Sequence, residues 1–549
     1  MSKDQILLVA LNAKYIHSNP AVYSLAAYAN EVSGNVSIAE FTINDRYEDV
    51  LRGILMRKPE VIGFSVYIWN AEFMKQLIED IHNIAPQIRL LAGGPEATND
   101  PETYLNWCEL VMLGEGEKNF RKIATCIQKG EDFPFREMEG IAYKEEGIEY
   151  KEDGIAYKEK GIAYKDAEVI IKEPGPKSLL DMDQIPFLYN RLEPFENRII
   201  YYESSRGCPF RCSYCLSSLE KKVRYRSMDI VKKELKYFLD QKVKQVKFID
   251  RTFNSSSKRS IEIWTFIKEN DNGVTNFHFE IGADLLTDKE LELLSTLRPG
   301  LVQLEIGIQT THLPAMEAIH RTADNAKIFS NVQKLRSAYN INLHTDLIAG
   351  LPYEDYERFK KSFNDIYPLY ADQLQLGFLK VLKGTDMYDH RHDYELIYSS
   401  RQPYEIFATK WITYEEIARL HRVCDAVELF YNSQMFTRSL KYLEKFFDTP
   451  FSMFEEMAEY LNEHQLEGVG ISVKKKYDIL EAFGKEQGAD DTFSLWVLFD
   501  KMLHTHQSRR MSARETFAWP DGEKTYEFDY TNIHPVTMEA AFRVACSDE

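Results

Sequence analysis

Three cysteines, Cys208, Cys212 and Cys215, fall within eight positions of one stretch, Glu203-Ser204-Ser205-Arg206-Gly207-Cys208-Pro209-Phe210-Arg211-Cys212-Ser213-Tyr214-Cys215. Their spacing is C-x3-C-x2-C. Thiolates are soft ligands that select iron–sulfur clusters or zinc. Three of them on one loop hold three corners of a [4Fe–4S] cluster and leave the fourth iron open to a small ligand. The competing chemistry is a zinc knuckle short of one ligand. A closed structural zinc site takes four ligands, commonly as paired C-x2-C units, and no second pair occurs in this chain. Ligand count therefore favours the iron–sulfur cluster.

A second set of polar residues lies downstream. Strand-like runs span Arg198 to Glu203, Val246 to Asp250, Asn276 to Ile281, Leu301 to Ile308, Leu343 to Ala349 and Leu374 to Val381, with helical runs between them. Six strand–helix units make a partial (β/α)6 barrel, and in parallel barrels chemistry gathers at the C-terminal strand ends. Those ends carry Asp250, Glu280, Gln309 and Asp346, with Arg321 in a following segment. Buried charge is costly unless paired or liganded, so a series on successive strands suggests one shared polar ligand.

Ahead of the cysteines the chain alternates differently. Ile6 to Leu11 is a continuous apolar run, as in a strand buried on both faces. Asn19-Pro20 reads as an N-cap followed by proline at the first helical position. Further strands are expected at Val36 to Ile43, Val61 to Val66, Ile88 to Ala92 and Leu110 to Leu113, with helices near Asp49 to Arg57, Ala71 to Ile84 and Lys118 to Gln128. This alternation predicts a doubly wound, flavodoxin-like parallel sheet that binds ligands at the carboxyl ends of its strands. The strand-end loops are Asn12 to Ser18, Ser65 to Asn70, Ala92-Gly93-Gly94-Pro95-Glu96 and Gly114-Glu115-Gly116-Glu117. Glycine there lets backbone approach a bulky ligand closely.

The cysteine spacing, with Tyr214 before the last thiol, resembles the radical S-adenosylmethionine (SAM) superfamily. That resemblance implies that SAM chelates the open iron and is cleaved by one electron to a 5′-deoxyadenosyl radical. The runs around His278-Phe279-Glu280, Gly307-Ile308-Gln309-Thr310, His320-Arg321-Thr322 and Asp346 to Pro352 are similar to the branch that includes coproporphyrinogen oxidase-like and B12-dependent members. It implies that Glu280 and Asp346 hold the SAM ribose hydroxyls, that Gln309 and Arg321 contact its polar groups, Arg321 being suited to the carboxylate, and that Gly350 admits the adenine. Tyr214 belongs to the same site. The usual Gly-Gly-Glu after the second strand is replaced by Ile249-Asp250-Arg251.

The four N-terminal loops, preceding such a cysteine loop, resemble the cobalamin-binding domain of the B12-dependent class. The resemblance places Ser65, Gly93 and Gly94 along the nucleotide tail and Glu115 and Gly116 at the last loop. The same resemblance places Asn12, Tyr15 and His17 among the cobalamin-binding residues, in the loop where other cobalamin domains carry D-x-H-x-x-G. That motif is absent, so His17 is not expected to be the axial cobalt ligand. The whole resembles B12-binding radical SAM proteins of a group with an uncharacterised C-terminal extension. The activity implied is methyl transfer to an unactivated carbon or phosphorus, using a [4Fe–4S] cluster, SAM and cobalamin. Alternatives are a cobalamin-dependent rearrangement or oxidation, a methylthiotransferase-like enzyme, and a non-catalytic cobalamin sensor. An external flavodoxin- or ferredoxin-type electron donor is implied, and the substrate is expected to be a small molecule.

At 549 residues the chain is too long for one core. The expected division is 1–135 for cobalamin, 136–197 for a β insertion and linker, 198–390 for the radical chemistry and 391–549 for a mostly helical extension. A formal charge of −19 repels phosphate backbones, which disfavours nucleic acid. Seven cysteines, an odd number with four scattered, argue against a secreted disulfide framework. No apolar run is long enough to span a membrane, and the start reads directly into a strand, so a cytoplasmic location is expected. Residues 140–167 repeat as GIAYKEE, GIEYKED, GIAYKEK and GIAYKDA. Ile and Tyr two apart, with Gly at each junction, suggest a meander of short strands inserted at the surface. In the C-terminal third, Thr413 to Glu416 and Ser452 to Glu455 read as capping boxes, and Tyr526 to Tyr530 alternates like a strand.

Overall fold

The structure, a computed structural model, describes residues 5–145, 168–175, 179–220, 222–466, 470–509, 514–518 and 525–529. The chain forms two compact units. The first comprises Met1–Glu305, Met316–Ile341 and Leu379–Thr409, and the second Ile306–Ala315, Asn342–Phe378 and Lys410–Glu549.

The first unit begins with β1 (Ile6–Asn12), α1 (Pro20–Asn30), β2 (Val36–Thr42), α2 (Tyr47–Leu55), β3 (Val61–Ser65) and α3 (Ala71–Ile84). It continues through β4 (Arg89–Gly93), two short helices α4 (Pro95–Asn99) and α5 (Pro101–Tyr104), β5 (Leu110–Met112) and α6 (Glu117–Lys129). The strand order is 2-1-3-4-5, the first five being parallel. Every residue of β1 is buried. Leu7, Val9 and Leu11 join one apolar core with α2 and α3, whereas Ile6, Leu8 and Ala10 join another with α1 and α6. That is why the run reads as continuous rather than alternating. Asn19 caps α1 through the Ala21 amide, with Pro20 at its first position.

The sheet does not stop at β5. Strands β6 (Ile141–Glu145) and β7 (Glu168–Lys172) pair antiparallel and extend it to seven strands. Ile141, Ala142 and Tyr143, from the first heptad, are buried in the two cores. The first repeat unit thus belongs to the sheet, and the meander expected for the remaining heptads lies outside the described residues.

Next come β8 (Ile200–Tyr202), the short pair β9 (Ser205–Arg206) and β10 (Arg224–Tyr225), α7 (Met228–Asp240), β11 (Gln245–Phe248), α8 (Ser257–Glu269), β12 (Asn276–Ile281), α9 (Asp288–Ser295) and β13 (Val302–Gln309). Within the first unit β8, β11, β12 and the start of β13 lie side by side, β11 being parallel to both neighbours. After α10 (Leu313–Ala318) and α11 (Asn325–Ser337), the chain forms β14 (Asn342–Ala349), α12 (Tyr356–Ile366) and β15 (Gln373–Phe378). β14 and β15 are parallel strands of the second unit. Six strands therefore alternate with helices along the chain, as the (β/α)6 reading requires.

The remainder of the second unit is mostly helical: α14 (Tyr414–Ala426), α15 (Thr437–Leu443), α16 (Pro450–Glu463), α17 (Val473–Glu486) and α18 (Asp491–Arg509), after a short α13 (Asp386–Asp389) and the β16–β17 pair (Ile397–Tyr398, Ile406–Ala408) of the first unit. Thr413 and Glu416 form the expected capping box of α14. The box expected at Ser452 is displaced: Thr449 caps α16, Pro450 occupies the first turn and Ser452 is the third helical residue. Proline fits the first turn because its missing N–H is unpaired there anyway. Strands β18 (Arg514–Ala518) and β19 (Thr525–Asp529) pair antiparallel.

Candidate cofactor sites

The strand β8 delivers the chain to the cysteine loop, and β9 pairs with β10 across its base, Arg206 opposite Arg224. All three thiols lie between those arginines. Asp250, just past β11, is fully buried and accepts hydrogen bonds from the Ser204 amide at 2.8 Å, Ser204 Oγ at 2.7 Å and Ser205 Oγ at 2.6 Å. Burial pushes its carboxyl up to about 6. Asp250 therefore anchors the entry to the loop, and its strand-end position does not mark a contact to a shared ligand. Within the loop the Cys215 amide bonds the Cys212 carbonyl at 3.1 Å, and the Ser213 amide bonds Ile319 O at 3.0 Å. Cys212 is buried, and Cys208 and Cys215 are partly exposed.

Burial raises the Cys212 thiol, the Arg321 guanidinium opposes that, and the Cys215 and Cys208 thiols add to the rise. Cys212 thus senses both other sulfurs. Arg321 Nη1 lies 4.0 Å from Cys212 Sγ. Burial also raises Tyr214, with Cys212 and Cys215 among the neighbours that affect it. Cys208, Cys212, Cys215, Tyr214 and Arg321 are brought together. Three soft donors on one loop, the middle one beside a cation, fit a cluster with one open iron.

The carboxyl ends of β3, β4 and β5 open into a cavity of about 500 Å³. Ser65, Gly93, Gly94, Glu115 and Gly116 line it, and Glu203, Ser205, Arg206 and Gly207 form another part of its wall. Leu8, Gly63, Leu91 and Phe120 give an apolar floor. A Cβ on Gly63 would stand 2.8 Å from Leu8 Cδ2, and one on Gly94, at φ +102°, 2.4 Å from Val66 O. No larger residue fits at Gly94 without moving backbone. Ser65 accepts a bond from the buried Asn19 Nδ2 at 3.0 Å. An apolar slot bounded by small residues fits a bulky aromatic ligand such as a corrinoid's nucleotide tail.

Asn12, Tyr15 and His17 are not among the residues lining this cavity. Asn12 Nδ2 is spent on the His17 carbonyl at 3.1 Å and on Glu40 at 2.9 Å. His17 Nδ1 lies 2.6 Å from the Tyr201 hydroxyl, and burial with nearby Lys14 holds the imidazole below its usual range. Tyr15 is 64% exposed and sits 4.9 Å from the Arg198 guanidinium. The three side chains are thus engaged with Glu40, Tyr201 and Arg198, from outside their own loop.

Glu280, at the end of β12, is raised by burial and by Glu305, and opposed by Arg251 and Lys247. Lys247 lies 3.0 Å from Glu305 and 4.0 Å from Glu280. Burial pushes Glu305 up, but His278 at 2.9 Å and Lys247 more than offset this and hold it at about 2. Sequence reasoning missed Lys247, His278 and Glu305. The signal was the period of two: His278 and Glu280 point to the same side of β12. Arg206, Arg224 and Glu117 were missed too, since arginines flanking a cysteine loop read as ordinary surface charge.

In the second unit, Gln309 ends β13 in the left-handed region, φ +72°, with its Oε1 buried and without a hydrogen-bond partner among the described residues. An orphaned acceptor is costly and fits a ligand that donates to it. Asp346 lies on β14 with His344 Nε2 3.3 Å away, and Gly350 follows at φ +83°.

Comparison with known proteins agrees with this layout. Residues 6–124 match the B12 binding domain, residues 202–366 the radical SAM superfamily, and residues 392–529 a protein of unknown function family (DUF4080). An uncharacterized methyltransferase of Pyrococcus horikoshii is 24% identical over 68% of this chain and 80% of its own length. The cobalamin-dependent radical SAM methyltransferase TokK of Streptomyces tokunonensis is 24% identical over 56% of this chain and 45% of its own length. The structure of the radical S-adenosylmethionine methyltransferase TsrM from Kitasatospora setae, with cobalamin and a [4Fe–4S] cluster bound, matches with a TM-score of 0.55 at 16% identity, over 70% of this chain and 76% of that one. Among the described residues no helix is long and apolar enough to cross a membrane. The cysteine loop, the crevice beside it and the three family matches together make this chain a B12-binding radical SAM enzyme with a DUF4080 region, whose cofactors are a [4Fe–4S] cluster, SAM and cobalamin.

Proposed function

We propose that this enzyme transfers a methyl group to an unactivated carbon or phosphorus centre of a small molecule. The observation that carries this reading is the shared wall of the first unit: Glu203, Ser205, Arg206 and Gly207, which lead into Cys208, face the same cavity as Ser65, Gly93, Gly94 and Gly116. A ligand seated there abuts the backbone that presents the thiols. When bound, the cluster and SAM supply one-electron chemistry and cobalamin supplies the methyl group.

The chain's own residues bind, orient and exclude water. Cys208, Cys212 and Cys215 hold iron as thiolates. Arg321, 4.0 Å from Cys212 Sγ, offers a planar fork to the SAM carboxylate. Glu280 and Asp346 accept from the ribose hydroxyls, Gln309 accepts through its buried Oε1, and Gly350 leaves room for the adenine. Ser65, Gly93 and Gly94 follow the nucleotide tail. In this reading residues 1–135 serve the corrinoid, 136–197 are hairpin and linker, 198–390 serve SAM, and 391–549 are the extension. Electrons come from an external flavodoxin- or ferredoxin-type donor.

Anaerobic reconstitution with iron, sulfide and cobalamin, followed by SAM cleavage and product analysis, tests the proposal. A methylated product consumes two SAM per turnover. A product without a new methyl group would replace methyl transfer by rearrangement or oxidation, and a product with an added methylthio group would point to a methylthiotransferase.

A further inference from the structure

We infer that Glu115 is a positioning residue that couples the corrinoid cavity to the neck of the cysteine loop, so that each cofactor tightens the binding of the other. The inference rests on the cofactor sites assigned above. The neck is the β9–β10 pair, in which Arg206 and Arg224 stand opposite each other. Everything that carries the three thiols hangs from it. Both guanidinium groups leave the neck for the same carboxylate. Glu115 Oε1 pairs with Arg224 Nη2 and lies 3.4 Å from Arg206 Nη1.

Glu115 is at once a cavity residue, in the turn between β5 and α6. Its Oε2 accepts from the Leu180 amide at 3.0 Å, and Arg224 Nη1 donates to the Leu180 carbonyl at 2.5 Å. The next acidic residue repeats the pattern: Glu117 accepts from Arg206 Nη2 at 3.0 Å and from Ser24 Oγ at 3.1 Å. Loop-internal partners complete the network. Glu203 bonds Arg206 Nε at 2.9 Å and Nη2 at 2.8 Å, and Glu220 bonds Arg224 Nη2 at 2.6 Å.

Side-chain exposures of 18% for Arg206, 14% for Arg224, 11% for Glu115 and 7% for Glu117 put this network largely out of water. A largely buried ion pair is strongly destabilised when one partner is displaced, because the other is left uncompensated. The turn at Gly114–Glu117 and the neck of the loop therefore order as one body. A ligand in the cavity fixes the turn, and iron on the cysteines fixes the loop. Whichever binds first bears the ordering cost, and the second binds to a network already set. Such coupling is reciprocal.

The test is a hydroxocobalamin titration followed by its absorbance, on protein reconstituted with iron and sulfide and on the cluster-free Cys212→Ala protein. We expect the cluster-loaded form to bind about tenfold more tightly. With Glu115→Gln introduced into both forms, that ratio falls below about twofold. Glu109→Gln, which breaks the Arg89–Glu109 pair outside both the cavity lining and the loop neck, keeps the original ratio. Should Glu115→Gln fail to fold, Arg224→Lys keeps the charge, loses the fork and lowers the ratio likewise. Equal affinities in the cluster-loaded protein and in Cys212→Ala, or an undiminished ratio in Glu115→Gln and Arg224→Lys, overturns the inference. A starting protein that takes up iron but no hydroxocobalamin overturns instead the assignment of the cavity.

Discussion

The strand ends of the N-terminal sheet and those of the radical domain answer two different ligand problems. β3, β4 and β5 end in small residues over an apolar floor, with Gly94 packed so closely on Val66 that no side chain fits. β11 and β12 end among charged groups, each already engaged: Asp250 by two serines, Glu280 by Lys247 and Arg251. The first arrangement supplies room, the second supplies charge. A large, mostly apolar ligand needs area and shape. A small zwitterion needs fixed counter-charges, and these are affordable in a protein interior only where neighbours compensate them.

This contrast can be broken most completely at the thiols. Cys212→Ala is expected to abolish the cluster and SAM cleavage while cobalamin still binds at saturating concentration. Iron and sulfide analysis alongside corrinoid absorbance checks both halves. Loss of both cofactors with the fold intact would merge the two sites into one.

Gly94→Val attacks the other side. At φ +102° with Val66 O 2.4 Å from the new Cβ, the backbone must shift. Left-handed strain of this kind costs about 1–3 kcal/mol. We expect a lower melting temperature and cobalamin uptake weakened by about tenfold or more, with iron content unchanged. Unaltered corrinoid affinity would show that room at this turn is not what the ligand uses.

Asp250→Asn sharpens the comparison within the radical domain. Burial raises the Asp250 carboxyl from 3.8 to about 6. The native state then holds this proton more tightly than the unfolded chain. The stability it contributes is full below about pH 4 and is lost as pH rises through about 6, a change of about 3 kcal/mol. Denaturant unfolding of the asparagine variant should show a decline between about pH 4 and 6 that is shallower by that amount, because Asn does not titrate and still accepts from the Ser204 amide, while Asp500, raised likewise by burial, declines in both proteins. A parallel decline in both proteins would remove Asp250 from the account.

The smallest effects are expected where neither problem is being solved. His17→Phe should leave corrinoid affinity within about twofold, since the imidazole is engaged with Tyr201 and lies off the cavity. Deleting residues 147–160, two of the four heptads, should change stability by about 0.6 kcal/mol or less, since the β6–β7 pairing is left in place and closure entropy varies slowly with the length of chain between paired segments. Paired unfolding curves check the second and a corrinoid titration the first.

Local chemistry made much of this legible beforehand. The C-x3-C-x2-C spacing needs only a ligand count. The apolar run Ile6–Leu11 needs only the observation that both faces of a strand are buried. Asn19-Pro20 reads as a helix start because capping acts over one turn. Short-range rules thus govern the thiol triad, the order of strands and helices, and which turns carry glycine. Only folding shows that Asp250 serves Ser204 and Ser205, that Asn12 meets Glu40 and His17 meets Tyr201, and that Glu115 meets both arginines of the loop neck. The reason is physical. A charged side chain has the same composition and spacing whether it faces a ligand or a partner more than a hundred residues away, and its role is fixed by which buried group it must neutralise, a matter settled only when the chain has folded.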